Sequence, residues 1–377
     1  MDIHCPATIS ELETPAFLVD LDKVKSNCDE MRHRCETLLG VKLRAHLKTH
    51  KTLEAAILMT GGTKRCVCVS TLKEAEFFAD GGFDDIVYAA PLIAAKVPRC
   101  KVLAEKLQAF HVMVDSLHGI EALAENPLKD GQNWSVLLKI DIGSKRAGVL
   151  WNSDQAVDLA KTIATSGTMV FYGLYGYCGG LAYECHSADE LKSTSDLAAA
   201  RLLECKNKIN GIGLLFETCG IGCTPTASFP GEKISQLTEL HPGNYVFYDV
   251  EQTLIGSVSL DRVACKVATR VTGHYPDKNT ILVDCGFMAL SHDGKGLIPP
   301  GSTCLVEGHP ELMLTEISQE VGTLEPVSGK IDYSQFPLGK MLFFYPYHSS
   351  ATAAMFPFYY VYRDDKIVDT WTPTRGW

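Results

Sequence analysis

Arg44-Ala45-His46-Leu47-Lys48-Thr49-His50-Lys51 gathers three cations and two histidines into eight residues. The extended run Gly40-Val41-Lys42-Leu43 precedes it, and Thr52-Leu53-Glu54-Ala55-Ala56-Ile57 reads as the start of a helix. The cluster therefore lies where a strand gives way to a helix. A lysine near other cations and partly desolvated loses basicity and becomes an amine nucleophile able to form a Schiff base with a carbonyl. Taken alone, the same eight residues also suit a solvated basic turn. The elements around them decide between the two.

Short apolar runs alternate with helical spacing through the first two thirds of the chain. The runs are 15–20, 40–48, 66–70, 86–89, 110–115, 134–142, 169–177 and 214–218, with 239–245 as a candidate last strand. Nearly continuous apolar strands separated by helices indicate a buried parallel sheet. Eight or so units over roughly 240 residues fit a closed (β/α)8 barrel better than an open doubly wound sheet. No GxGxxG follows the first strand, which argues against a dinucleotide site. Counted this way, Lys48 ends the second strand and Gly143-Ser144-Lys145-Arg146-Ala147-Gly148 follows the sixth. Tyr175 and Tyr177 end the seventh, Gly222-Cys223-Thr224 follows the eighth, and His241-Pro242-Gly243-Asn244 comes after. All sit at C-terminal strand ends, the active rim of such a barrel.

Near residue 255 the texture changes. Runs at 263–273, 280–285, 313–318, 341–345, 359–362 and 366–371 read as strands, with few helical periods between them. The expected architecture is an α/β chain: a (β/α)8 barrel over residues 1–258 and a smaller all-β domain over 259–377. Residues 1–13 are left free to pack on the β domain.

The 377 residues are 46% hydrophobic and 21% charged, ordinary globular values. A net charge of −10 argues against general nucleic-acid binding. Fourteen cysteines are scattered without paired CxxC motifs, so neither a disulfide scaffold nor a zinc knuckle is expected. They read as small buried hydrophobes in a reducing compartment. The first residues, Met1-Asp2-Ile3-His4-Cys5-Pro6, show no secretory signal, and no apolar run is long enough to span a membrane. A cytoplasmic location follows as the expectation.

Gly220-Ile221-Gly222-Cys223-Thr224-Pro225 reads as a glycine-bearing turn whose amides and Thr224 hydroxyl suit an anion, with Gly243-Asn244 completing it. An ordinary β-to-α turn is the competing reading. A lysine and a phosphate nest on one rim suggest pyridoxal phosphate, which has one aldehyde and one phosphate. In the β domain, His348 within Pro346-Tyr347-His348-Ser349-Ser350 is a candidate metal ligand or acid/base.

The chain resembles the eukaryotic D-serine dehydratases of the alanine-racemase-like, fold-type III pyridoxal-phosphate family, which also holds the D-threonine aldolases. The resemblance covers nearly the whole length. It rests on Thr14-Pro15-Ala16, His46-Leu47-Lys48-Thr49-His50-Lys51, Arg146-Ala147-Gly148, Gly222-Cys223-Thr224-Pro225, Glu239 to Tyr245, Asp284-Cys285-Gly286 and Pro346-Tyr347-His348. It implies that Lys48 carries the cofactor as an internal aldimine and acts as base. It places Arg146 near the ring hydroxyl, Tyr175 beside the ring and Tyr183 nearby. Gly222, Thr224, Gly243 and Asn244 would hold the phosphate. It also implies a homodimer in which the β domain of one subunit helps close the barrel mouth of the other. Zinc is the implied metal, on His348 and the residue two positions on. The dehydratases carry a cysteine there and the aldolases usually a carboxylate; this chain has Ser350, a far weaker donor. The implied activity is a lyase reaction, D-serine to pyruvate and ammonia. The alternatives are retro-aldol cleavage or racemisation of D-amino acids, and a non-catalytic pyridoxal-phosphate-binding protein.

Overall fold

The computed structural model describes residues 6–377, so the first five residues, read above for a targeting signal, lie outside the described residues. The chain divides into two compact units. One takes residues up to Asn27, Val246–Leu254 and Val258–Pro373; the other takes Cys28–Tyr245, Ile255–Ser257 and Thr374–Trp377.

The second unit is a parallel barrel. Its strands follow the order Lys42–Leu43, Glu239–Leu240, Thr218–Gly222, Met169–Tyr177, Trp134–Asp141, Ala109–Val114, Asp85–Pro91, Val67–Val69 and Ala45–His46, with Val149–Leu150 added beside Trp134–Asp141. The two ends of that order are one stretch of chain interrupted at Arg44. Along it the amides point alternately to the two neighbours: Lys42 and Arg44 donate to Thr238 O and Leu240 O, while Ala45 and Leu47 donate to Cys66 O and Cys68 O, all at 2.9–3.0 Å. One strand bonded on both edges closes the ring, and closure leaves no edge to protect.

Two expectations are corrected. The run 15–20 does not open the barrel. The strand Ala16–Asp20 pairs antiparallel with Cys265–Tyr275 and parallel with Tyr359–Arg363 in the β unit. It is buried on both faces, and such a run says that it is central without saying in which sheet. Lys48 therefore follows the first barrel strand, not the second. The strand expected at 214–218 is Thr218–Gly222 instead. The preceding helix runs to Gly211, and Leu215 is left 84% exposed in the connection. Hydrophobic residues in that loop imitated a strand.

The β unit is a mixed sheet. Its order is Leu312–Ile317, Gly322–Pro326, Thr280–Val283, Cys265–Tyr275, Ala16–Asp20, Tyr359–Arg363, Lys366–Trp371, and Met341–Pro346 joins Cys265–Tyr275 to Cys304–Val306. Seven of these nine match runs read from the sequence, one of them the run 15–20 expected in the barrel; Cys304–Val306 and Gly322–Pro326 do not. Residues before the first strand also lie on this unit: Ile9 N–H donates to Asp365 O at 3.0 Å, and Ile9 and Leu12 pack with Ala16, Leu18, Ala268 and Tyr362.

The barrel interior is unusually charged. Arg44 is 1% exposed; its Nε–H donates to both Glu239 oxygens at 3.0 Å and its NH1 to Asp85 Oδ1 at 2.5 Å. Glu239 in turn accepts from His241 Nε2 at 2.8 Å, and His111 lies 3.5 Å from Asp85. Burial raises the cost of charge on Glu239, yet Arg44 and His241 outweigh it and hold the carboxyl at about 2. These side chains come from four strands around the ring, so the network ties the barrel across its interior.

Candidate active site

One cavity in the barrel collects the side chains singled out from the sequence. Lys48, Arg146, Tyr175, Tyr183, Gly222, Thr224, Gly243 and Asn244 all line it, together with His46, Ser70, Ala89, Lys139, Tyr177, Cys223 and His241. The eight singled out from the sequence arrive from five separate segments of the chain. Backbone closure places Lys48 there: Leu47 N–H bonds to Cys68 O and His46 N–H to Pro242 O, both at 2.9 Å, which pins the last turn of chain before the amine.

The Lys48 amine is held below the ordinary lysine range, first by burial and then by the Arg146 charge. This is the condition for a neutral, nucleophilic amine. Arg146 itself stacks on Tyr177, its guanidinium carbon 4.0 Å from the ring centroid. Tyr175 lies face to face with His241 at 4.2 Å with 8° between planes, forming a flat aromatic wall. His46 and His241 are both held neutral by burial, and their Nδ1 atoms are buried without a hydrogen-bond partner.

The glycines here serve close approach. Gly220 to Gly222 belong to a strand, so the expected glycine turn is corrected: a Cβ on Gly220 would lie 2.7 Å from His241 Cε1, and one on Gly222 2.6 Å from His241 Cβ. A Cβ on Gly243 would meet His46 O at 2.5 Å. The Thr224 hydroxyl accepts from the amides of Gly243 and Tyr245 at 3.2 and 3.3 Å, which fastens the two phosphate-loop candidates to each other. Small residues, a bound hydroxyl, orphaned ring nitrogens, a flat aromatic wall and a desolvated amine fit pyridoxal phosphate. Lys48 would meet its carbonyl, Arg146 its ring hydroxyl, Tyr175 its ring, and Gly222, Thr224, Gly243 and Asn244 its phosphate.

Lys139 is the functional candidate that sequence reasoning missed. It is 4% exposed, and its Nζ lies 4.4 Å from the Tyr175 centroid and 5.6 Å from that of Tyr177. The signal was present: a lysine inside the apolar run Trp134-Ser135-Val136-Leu137-Leu138-Lys139-Ile140 has no reason to be there unless it points inward to a polar site. Burial, then the Arg146 charge, brings its amine down to about 7. An unfolded lysine titrates near 10.5. Between those values the unfolded chain binds a proton that the native state refuses, so this residue makes stability rise with pH from about 7 to about 10.5. Lys139→Met should remove one proton's worth of that slope. Urea-unfolding free energies of cofactor-free protein at about pH 7.5 and about pH 9.5 would show it. Identical slopes for the two proteins would exclude a buried neutral Lys139.

His348 and Ser350 lie in the β unit, at the start of the helix Ser349–Ala354. The His348 ring is bonded through Nδ1 to Asp293. Among the described residues, no three of His, Cys, Asp or Glu come together as a set able to hold a metal. One imidazole beside a hydroxyl that stays protonated near neutral pH does not fit a zinc centre. No helix of the described residues is long and apolar enough to cross a membrane.

Barrel, β unit and a buried lysine among small residues define a class, and comparison with known proteins gives the same one. Residues 19–250 match the family model "Alanine racemase, N-terminal domain", and 264–362 match "Putative serine dehydratase domain". The chain belongs to the alanine-racemase-like family, in the branch with a serine dehydratase domain. It is 32% identical to the D-serine dehydratase of Dictyostelium discoideum, over 98% of both chains. The D-threo-3-hydroxyaspartate dehydratase of Delftia sp. HT23 superposes with a TM-score of 0.92 at 30% identity, over 99% of this chain and 100% of that one. A cysteine-to-alanine mutant of a D-threo-3-hydroxyaspartate dehydratase, described as in the metal-free form, superposes with the same TM-score of 0.92.

Proposed function

We propose that this protein is a D-serine dehydratase, a D-serine ammonia-lyase that releases pyruvate and ammonia. The observation that carries it is the single cavity uniting the desolvated Lys48 amine, Arg146 and the Gly222–Thr224–Gly243–Asn244 cradle, in a chain related end to end to a D-serine dehydratase. Pyridoxal phosphate, when bound, supplies the electron sink that makes the substrate Cα–H acidic. The Lys48 amine, its basicity lowered by burial and by the Arg146 charge, takes the Cα proton at Nζ. Arg146 and Tyr175 fix orientation, so that the Cα–H bond faces Nζ. The β-hydroxyl then needs a proton to leave as water, and the proton now on Lys48 Nζ is the one this reading returns to it. The enamine left behind hydrolyses in water to pyruvate and ammonia.

The alternative substrate is a bulkier D-β-hydroxy amino acid, which the likeness to the Delftia dehydratase supports. Retro-aldol cleavage differs in giving glycine and an aldehyde. The test is product analysis with D-serine, D-threonine and D-threo-3-hydroxyaspartate, on protein as purified, after chelator, and after zinc is returned. Pyruvate from D-serine is the expected result. Coloured protein that turns over none of the three would overturn the enzyme reading.

No step is assigned to zinc. A cysteine-to-alanine mutant of a D-threo-3-hydroxyaspartate dehydratase is described as in the metal-free form, and Ser350 in this chain supplies no thiolate. Ser350→Cys should raise zinc affinity at least about tenfold, the scale that even a supporting residue commands. Calorimetric titration reads it directly, and an unchanged affinity would show that the serine is not what limits the site. A homodimer in the cytoplasm completes the proposal. Support comes from the family resemblance and from the free state of all described cysteines; light scattering on the holoenzyme tests the dimer.

A further inference from the structure

Two thiols meet in the wall of the barrel cavity. The strands Met169–Tyr177 and Thr218–Gly222 are neighbours, with Tyr177 opposite Gly222. The residues that follow them, Cys178 and Cys223, are therefore brought side by side. Their Sγ atoms lie 3.1 Å apart, and the Thr226 hydroxyl is 3.2 Å from one and 3.3 Å from the other. A disulfide needs about 2 Å, so roughly 1 Å of approach would close the bond. Cys178 is fully buried, whereas Cys223 lines the cavity and is 7% exposed. That is the arrangement of a reachable thiol with a resolving thiol behind it.

We propose that Cys178 and Cys223 are a redox modification site, closing to a reversible disulfide when a peroxide enters the cavity, and that closure loosens the cofactor cradle. The second half rests on the cofactor reading above; the bond itself does not. Cys223 thiolate attacks a peroxide oxygen, the O–O bond breaks, and hydroxide leaves and is protonated. The Cys178 sulfur then attacks the resulting sulfenic sulfur, and the S–O bond breaks with loss of water. Two thiols and one hydrogen peroxide give one disulfide and two waters. The surroundings favour Cys223 as the attacking thiol, while burial raises Cys178, the resolving thiol behind it. Burial pushes Cys35, Cys100, Cys205 and Cys219 up to about 12. Burial acts on Cys223 too, but hydrogen bonds from Cys178 and Thr226 bring it below the usual thiol range. The consequence follows from position: Cys223 immediately precedes Thr224, whose hydroxyl holds the Gly243 and Tyr245 amides. Drawing Cys223 toward Cys178 moves that anchor.

The test treats holoenzyme with hydrogen peroxide, alkylates the remaining thiols and maps peptides by mass. The expected product is a cross-linked pair of peptides carrying Cys178 and Cys223. At least a tenfold loss of cofactor retained through gel filtration should accompany it, and dithiothreitol should reverse both. Cys178→Ser should keep cofactor before treatment and lose the reversible response. If that variant fails to fold, the wild-type peptide map still decides. Both thiols alkylated after peroxide overturns the proposal, and so does a cross-link that leaves cofactor retention unchanged. Protein that never holds pyridoxal phosphate would instead sink the cofactor reading, while the peptide map would still accept or reject the disulfide.

Discussion

Lys48→Ala protein should release pyruvate from D-serine at no more than about one-thousandth of the wild-type rate, within the range that a positioned proton-transfer group supplies. The loss should lie in kcat, because the amine acts on the reacting atoms and not only on binding. The effect should be specific to chemistry. Lys48 makes no part of the Arg44–Glu239–Asp85 network, so the thermal midpoint of the cofactor-free variant should stay close to wild type. Lys139 is the other buried amine of the cavity, and it lies over the tyrosine rings. A coupled pyruvate assay separates the two: if Lys48→Ala keeps a tenth of the activity, the base is elsewhere and Lys139 becomes the first candidate.

Arg44→Met should cost about 3–5 kcal/mol of stability, the usual penalty for removing one partner of a buried ion network. The guanidinium satisfies Glu239 and Asp85 together, and both carboxylates would be left buried beside neutral histidines. The pH dependence has a definite sign. Glu239 sits at about 2 in the folded chain against 4.5 in the unfolded one. Its contribution is therefore fully present above about pH 4.5 and is lost as pH falls toward about 2. Arg44→Met should weaken this acid dependence, since the charge that depresses Glu239 is gone. Urea titrations of both proteins check the free energy and the slope. A loss under about 1 kcal/mol would show that water or rearrangement replaces the guanidinium. Arg44→Met combined with Glu239→Gln should recover part of the deficit, because one of the two stranded charges is removed.

By itself the sequence determined the αβ alternation, the change to β texture near residue 255 and most of the cavity. Apolar strand runs of four to nine residues ending in polar motifs place those motifs on one barrel rim whatever the exact strand count. Hence Lys48, Arg146, Tyr175 and Thr224 were legible even though the count was off by one. What the linear pattern lacks is a partner for each strand. The run 15–20 is apolar on both faces in either sheet, and only the hydrogen bonds to Cys265–Tyr275 and Tyr359–Arg363 decide where it goes. The glycines at 220 and 222 read as a turn because close approach to His241 leaves no mark in the local sequence. The Cys178–Cys223 pair was hidden for the same reason, and Lys139 showed only as a lysine in an apolar run, without the rings that it faces. Their chemistry comes from neighbours 36 to 45 residues away, Tyr175 over one amine and one thiol against the other, and register between adjacent strands, not spacing along the chain, brings them together.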